Sequence, residues 1–202
     1  MVAGTGPVTA RLPVVTLAVC LTALALLGLP PSLQDLLQFD RPRIANGEVW
    51  RLVTCHAVHY APEHAARDVA GFAVLGALLE RESRAVMLSA LAVAVIAVAF
   101  VLWVVEPDLG VYRGLSALVF TLLGTYCAVA PGRGSHPPTM AVVVLVAALL
   151  WIGVQWVSIG DPGIAGSTAY VPVASAHLAG LCVGVAAALL QGAQTRRASC
   201  RG

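Results

Sequence analysis

Ser116 and His177 are the two residues of this chain that could together form a nucleophile and its base. A serine hydroxyl attacks a carbonyl only when a nearby base removes its proton, and histidine is the usual base near neutral pH. Ser116 follows Gly114-Leu115 and opens an apolar run, so the spacing predicts a turn feeding a helix. The first N–H groups of a helix lack partners within it and sit at its positive end. Such groups could hold the oxyanion of a tetrahedral intermediate. His64 and Asp68 open a second apolar run, and His177 opens a third. Alone, Ser116 reads as a helix N-cap, and a lone histidine in an apolar run reads as a packing residue. Catalysis becomes the better reading only if the elements carrying them bring them to one place.

Those elements belong to a membrane protein. Of 202 residues, 59% are apolar and only 11% are charged, and the mean hydropathy is +0.87. Soluble domains carry about 25% charged residues. The composition excludes a disordered chain, a nucleic-acid binder with a basic face and a small disulfide scaffold. The net charge of +2 says little about partners, and all twelve basic residues are Arg. Cys20, Cys55, Cys127, Cys182 and Cys200 show no CxxC spacing, and most lie in apolar runs. There cysteine acts as a small hydrophobe. A span needs about 20 apolar residues, so a chain of this length predicts about six.

The apolar runs place spans at 12–29, 64–79, 85–105, 114–130, 139–157 and 173–190, with a long mixed first loop at 32–63. The expected fold is all-α: one polytopic membrane domain over 1–202, a bundle of six transmembrane helices. The first run is longer than the apolar region of a signal peptide, so it reads as a retained span. Arg11, Arg81, Arg84, Arg133, Arg196, Arg197 and Arg201 fall on one side, and Arg41, Arg43, Arg51, Arg67 and Arg113 on the other. Four of the latter five lie in or beside the long first loop, where the positive-inside rule is weaker. Both termini are therefore expected in the cytoplasm. Spans 2, 4 and 6 then all run inward from the outer side. His64, Asp68, Ser116 and His177 converge at one depth. A helix from Ser116 to Ala130 rises about 22 Å, short of a hydrocarbon core of about 30 Å. That would sink Ser116 below the outer surface. Ala176, Gly180 and Gly184 recur every four residues, a small-residue stripe that allows close helix packing. Against Ala117 and Gly124 of span 4, it would bring His177 within reach of Ser116.

Three stretches resemble the rhomboid family of intramembrane serine proteases. Gly114-Leu115-Ser116-Ala117 resembles its GxSx motif. Ala176-His177-Leu178-Ala179-Gly180-Leu181-Cys182-Val183-Gly184 resembles AHxxGxxxG. Trp50-Arg51-Leu52-Val53-Thr54, then His56 and His59, then His64 and Asp68, resemble the first loop and second span with their W-R-x-x-T, H and H-x-x-x-N elements. The likeness runs in order from residue 47 to 184. It implies a six-span fold and peptide hydrolysis through an acyl-enzyme, with no cofactor and no metal. Ser116 would be the nucleophile and His177 the general base. His64, Asp68, Gly114 and Leu115 would form the oxyanion and substrate site, supported by His59, Phe120 and Gly180. Glu80 with Arg81 or Arg84 would be structural. The implied partners are the lipid bilayer and a membrane-anchored protein substrate with a small-residue or Gly-rich cleavage site, not nucleic acid. The implied location is a bacterial inner membrane, with the site open to the periplasmic side. The small size, Asp68 and the Leu75-Gly76-Ala77-Leu78-Leu79-Glu80 ending of span 2 are most like the rhombosortase branch. That branch implies substrates with C-terminal Gly-Gly-type anchors.

Three positions depart from the family pattern. Asp68 replaces an Asn, and a carboxylate facing an oxyanion would repel it. It must be protonated, paired with His64 or Arg67, or turned elsewhere. Ala117 replaces a Gly. Phe120 replaces a Tyr that stacks beneath the catalytic His, keeping the ring and losing the hydroxyl.

Other readings account for less. A relative that binds membrane segments without cutting them would not need Ser116 and His177. A metal site built from His56, His59 and His64 with Glu63 or Asp68 lacks the HExxH pattern. A transporter would show an inverted repeat and polar residues at both depths, and neither is visible. Trp103, Trp151, Trp156 and Tyr170 read as interface anchors. Gln155 reads as a polar packing contact, His136 as a solvated loop residue, and 160–166 as either a flexible cap or a plain surface connection.

Overall fold

The computed structural model describes residues 12–129, 137–158 and 173–199. The expectations for Arg11, Arg133, His136, Tyr170, Cys200, Arg201 and the 160–166 cap lie outside these residues. The chain is mostly helical. In order it forms α1 (Val14–Leu27), α2 (Pro31–Asp35), β1 (Phe39–Asp40), α3 (Arg41–Ala45), α4 (Arg51–Thr54), α5 (Pro62–Phe100), a π-helical turn (Val101–Val105), β2 (Val111–Tyr112), α6 (Ser116–Val129), α7 (Pro138–Ser158) and α8 (Ala174–Ser199).

Pro62 opens α5 at a position where its missing N–H costs nothing. The 39 residues of α5 would rise about 58 Å if straight, nearly twice a hydrocarbon core of about 30 Å. Ser83 breaks the helix with extended backbone. The two spans expected at 64–79 and 85–105 are thus two helical arms that meet at a kink at Ser83. Among the described residues, three helices are long and apolar enough to cross a membrane: Pro62–Val105, Pro138–Val157 and Ala174–Ala193. The apolar helices α1 and α6 are shorter. At 14 residues each, they rise only about 21 Å. The separate six-helix count expected from the apolar runs is therefore not reproduced. Ile96, Leu150 and Val157 are 72%, 67% and 77% exposed. Such faces would aggregate in water and are solvated by lipid. The protein is an integral membrane protein.

Two clusters of polar bonds hold the first loop in shape. Arg51 is fully buried. Its guanidinium donates to the Asp35 and Gln38 carbonyls at 2.6 and 3.0 Å and pairs with Glu48 at 2.6 Å. Arg41 donates to the carbonyls of Trp103, Glu106 and Leu109 near the end of the π-helical turn. It thereby satisfies carbonyls that a helix end leaves open. The stretch 32–63, expected as a loop, thus contains three short helices and a strand. β1 pairs antiparallel with β2, Phe39 opposite Tyr112 and Asp40 opposite Val111. The pairing fixes the first loop to the segment that leads into Ser116.

Glu80 joins α1 to α5. Its carboxylate accepts the Val15 and Thr16 N–H groups at 3.0 and 2.8 Å, the Thr16 hydroxyl at 2.9 Å and Arg84 Nε at 3.0 Å. An anion belongs at the positive end of a helix. Of the two arginines considered beside Glu80, Arg84 makes the contact.

The small-residue stripe of α8 packs on α6, as its spacing predicts. A Cβ at Gly180 would collide with the Ala117 carbonyl oxygen, and one at Gly184 with the Thr121 carbonyl oxygen. A Cβ at Gly124 would lie 2.5 Å from the Leu181 carbonyl oxygen. Thr125 Oγ1 also lies 3.3 Å from the Gly184 carbonyl oxygen. Backbone cannot yield as a side chain can. Gly184→Leu is expected to destabilise the fold by more than about 3 kcal/mol. A thermal unfolding midpoint in detergent equal to wild type would contradict this.

Candidate active site

The close α6–α8 contact sets the first residue of α6 against the first turn of α8. Ser116 is the first helical residue, and His177 lies in the first turn. The Ser116 Oγ lies 2.8 Å from His177 Nε2, within hydrogen-bond distance. The N-cap reading of Ser116 therefore does not describe its hydroxyl, since Leu115 precedes the helix and Ser116 faces the imidazole. Phe120, one turn along α6, stacks on the His177 ring at 4.8 Å and 27°. The retained ring keeps the stacking, and the lost hydroxyl leaves it intact.

The turn before Ser116 is held from three sides. Gly114 has φ +134°, a conformation that side chains rarely adopt. Its N–H donates to the Cys55 carbonyl at 3.0 Å. Its carbonyl lies 3.4 Å from the Tyr112 hydroxyl, which donates to it, and 3.4 Å from His56 Nδ1. Burial pushes the His56 pKa down to about 4, so its ring is neutral at pH 7. Burial also pushes the Tyr112 phenol well above its ordinary value and keeps it a donor. The Leu115 N–H donates to Asp68 Oδ2 at 2.9 Å. Among the described residues, no acceptor meets the Ser116 N–H.

Asp68 is the hub of the neighbouring polar cluster. Its Oδ2 lies 3.2 Å from His64 Nε2 and 3.3 Å from His59 Nε2. Of the three resolutions open to Asp68, pairing with His64 is the one present, and His59 joins it. His59 and His64 meet edge to face at 5.1 Å, and Tyr60 stacks on His64 at 6.0 Å. His56 faces Gly114 instead of joining them. Among the described residues, no group of His, Cys, Asp or Glu is arranged to hold a metal. Replacing Asp68 separates its two tasks. Asp68→Asn keeps an acceptor for Leu115 and should hold activity within about tenfold. Asp68→Ala leaves a buried N–H unpaired, a cost of about 1–3 kcal/mol, and should lose distinctly more. Equal losses in the two variants, measured as rates at matched folded fraction, would refute the hydrogen-bond role.

A cavity of about 230 Å³ opens over these groups. Ser116, His177, His64 and Asp68 line it, with Trp151 and Gln155 of α7. Gly114 and Leu115 are buried behind it, and Gly180 lies at the helix contact beneath. All nine residues singled out from the sequence thus lie in or around one site. Four contributors were missed: Gln155, Tyr60, Tyr112 and the Cys55 carbonyl. Gln155 is 8% exposed, and its Oε1 lies 2.7 Å from His177 Nδ1. Its signal was available, because it is the sole amide in the apolar run 139–157.

Comparison with known families places this geometry. The Rhomboid domain matches residues 46–194. The chain belongs to the rhomboid family. The matched stretch contains every residue described in the cavity. No curated protein matches the chain. Members of the family are generally intramembrane serine proteases, acting on membrane-protein substrates within the bilayer.

Proposed function

We propose that this rhomboid is an intramembrane serine endopeptidase, with Ser116 as nucleophile and His177 as general base. The observation that carries the reading is the 2.8 Å bond from the Ser116 hydroxyl to His177 Nε2 beside a cavity. His177 takes the Ser116 proton as Oγ attacks a substrate carbonyl. The Ser116 N–H and His64 hold the oxyanion at the positive end of α6. His177 then returns the proton to the leaving amine, and the acyl-enzyme forms. Water from the outer side releases it. Asp68 stays off the oxyanion because its Oδ2 is engaged by Leu115, His64 and His59.

The substrate must offer an extended segment, since a helix hides its carbonyls. Small and Gly-rich sites unwind most readily. We read the chain as one membrane domain of the rhombosortase type, acting on proteins with C-terminal Gly-Gly-type anchors. Counting the two arms of α5 separately, α1, α5, α6, α7 and α8 make six crossings. Arginine placement puts both termini in the cytoplasm and the cavity on the periplasmic face of a bacterial inner membrane.

Covalent labelling with a fluorophosphonate probe tests the reading. Wild type should be labelled, and Ser116→Ala and His177→Ala should not. Labelling that survives Ser116→Ala would assign another nucleophile. A folded wild type that neither labels nor cleaves a Gly-rich membrane substrate would be a membrane-segment binder instead.

A further inference from the structure

The His177 ring has a partner on each nitrogen. Nε2 faces Ser116 at 2.8 Å, and Nδ1 faces Gln155 Oε1 at 2.7 Å. An amide oxygen can only accept, so Nδ1 of the imidazole must carry the proton. The neutral imidazole then has its lone pair on Nε2, the nitrogen that must receive the serine proton. The opposite tautomer would offer Ser116 a donor and no base.

Gln155 is held where it can impose this choice. It lies on α7 in one stripe with Ala148 and Ile152, the buried side chains of that helix. The spacing of four and three residues puts all three on one face. Ala148 and Ile152 pack with Ala174 and Leu181 of α8, against Phe120 of α6. The same apolar cluster therefore seats Gln155 and the ring that stacks on His177. A buried amide in such surroundings is costly unless it is hydrogen-bonded, and the imidazole supplies that bond.

The geometry points to Gln155 as a positioning residue that fixes the tautomer and plane of His177, an assignment that rests on the Ser116–His177 reading above. It takes the place that a carboxylate fills in soluble serine proteases. Being neutral, it orients the base without adding charge. The charged and titratable groups that share the cavity are Tyr60, His64, Arg67, Asp68, Tyr112 and Arg113. None of them changes in the variants proposed here.

The test is the rate of fluorophosphonate labelling of the full chain in detergent, over about pH 5 to 9. Wild type, Gln155→Leu and Gln155→Glu are compared, with thermal unfolding recorded for each. Gln155→Leu should lower the maximal labelling rate about 10- to 100-fold, with probe affinity within about twofold. Gln155→Glu places a carboxylate on Nδ1, which favours the imidazolium. Its acid limb should move to higher pH by about one unit, and above that limb its rate should exceed that of Gln155→Leu. The inference is overturned if Gln155→Leu labels at the wild-type rate. It is also overturned if both variants keep the wild-type acid limb and lose rate only in step with lost stability. A wild type that does not label defeats the Ser116–His177 reading itself, which is a separate result.

Discussion

Ser116→Ala and His177→Ala are each expected to reduce cleavage at least about 10³-fold, and the double variant no further. On the proposed mechanism the two side chains are one device: the hydroxyl is inert without its base, and the base has nothing to activate without the hydroxyl. Losses in such a pair do not add. A residual rate above the uncatalysed reaction should persist in all three variants, because the open N–H at the start of α6 and His64 are untouched. A double variant that loses the sum of the two single losses in free energy would show that the residues act separately. Folding should be little changed in Ser116→Ala, since Ser116 is half-buried, whereas His177→Ala removes the partner of the buried Gln155 amide and is compared at matched folded fraction.

Gly114→Ala is expected to lose at least about 100-fold in the labelling rate of Ser116. At φ +134°, a side chain strains the backbone, at about 1–3 kcal/mol. The added methyl would also lie 2.9 Å from His64 Nε2, 3.0 Å from His64 Cε1 and 3.3 Å from Asp68 Oδ2. The turn and the polar cluster cannot both stay in place. Ser116, the proposed nucleophile, follows two residues later, and a shift of about 1 Å in a reacting group costs about 100-fold. Gly110→Ala is the control, because its Cβ would meet nothing within 4 Å. If Gly114→Ala labels as fast as Gly110→Ala, the turn does not position Ser116.

Much of the site was readable from the sequence because it rests on helix starts. His64, Ser116 and His177 open apolar runs, and a common chain direction places such starts at one depth. The Gly180 and Gly184 stripe was readable because its period is local. Gln155 was visible as the sole amide of its run, but its role was not, because that depends on which helix α7 lies against. The break between the second and third spans was readable because Glu80 to Arg84 is the polar interruption between two apolar runs. Helical structure runs through that interruption, with only Ser83 extended. The strands of two residues at Phe39 and Val111 are too short for alternation to register. For Asp68 the sequence left three states open, and the positions of His64 and His59 against its carboxylate select the paired one.

The Glu80 contact has a consequence for where the unit begins. The family match starts at residue 46, and α1 lies wholly before it. Yet Glu80, inside the match, is 6% exposed and takes three of its four bonds from Val15 and Thr16. Thr16 also fills the space over Gly76, where a Cβ would sit 2.8 Å from its hydroxyl. Trimming the chain to its homologous stretch would leave that carboxylate with Arg84 alone and open a notch along α5. The family match and the packing thus draw different borders around this protein: the matched segment holds the candidate site, while the packed unit includes a helix that lies before it.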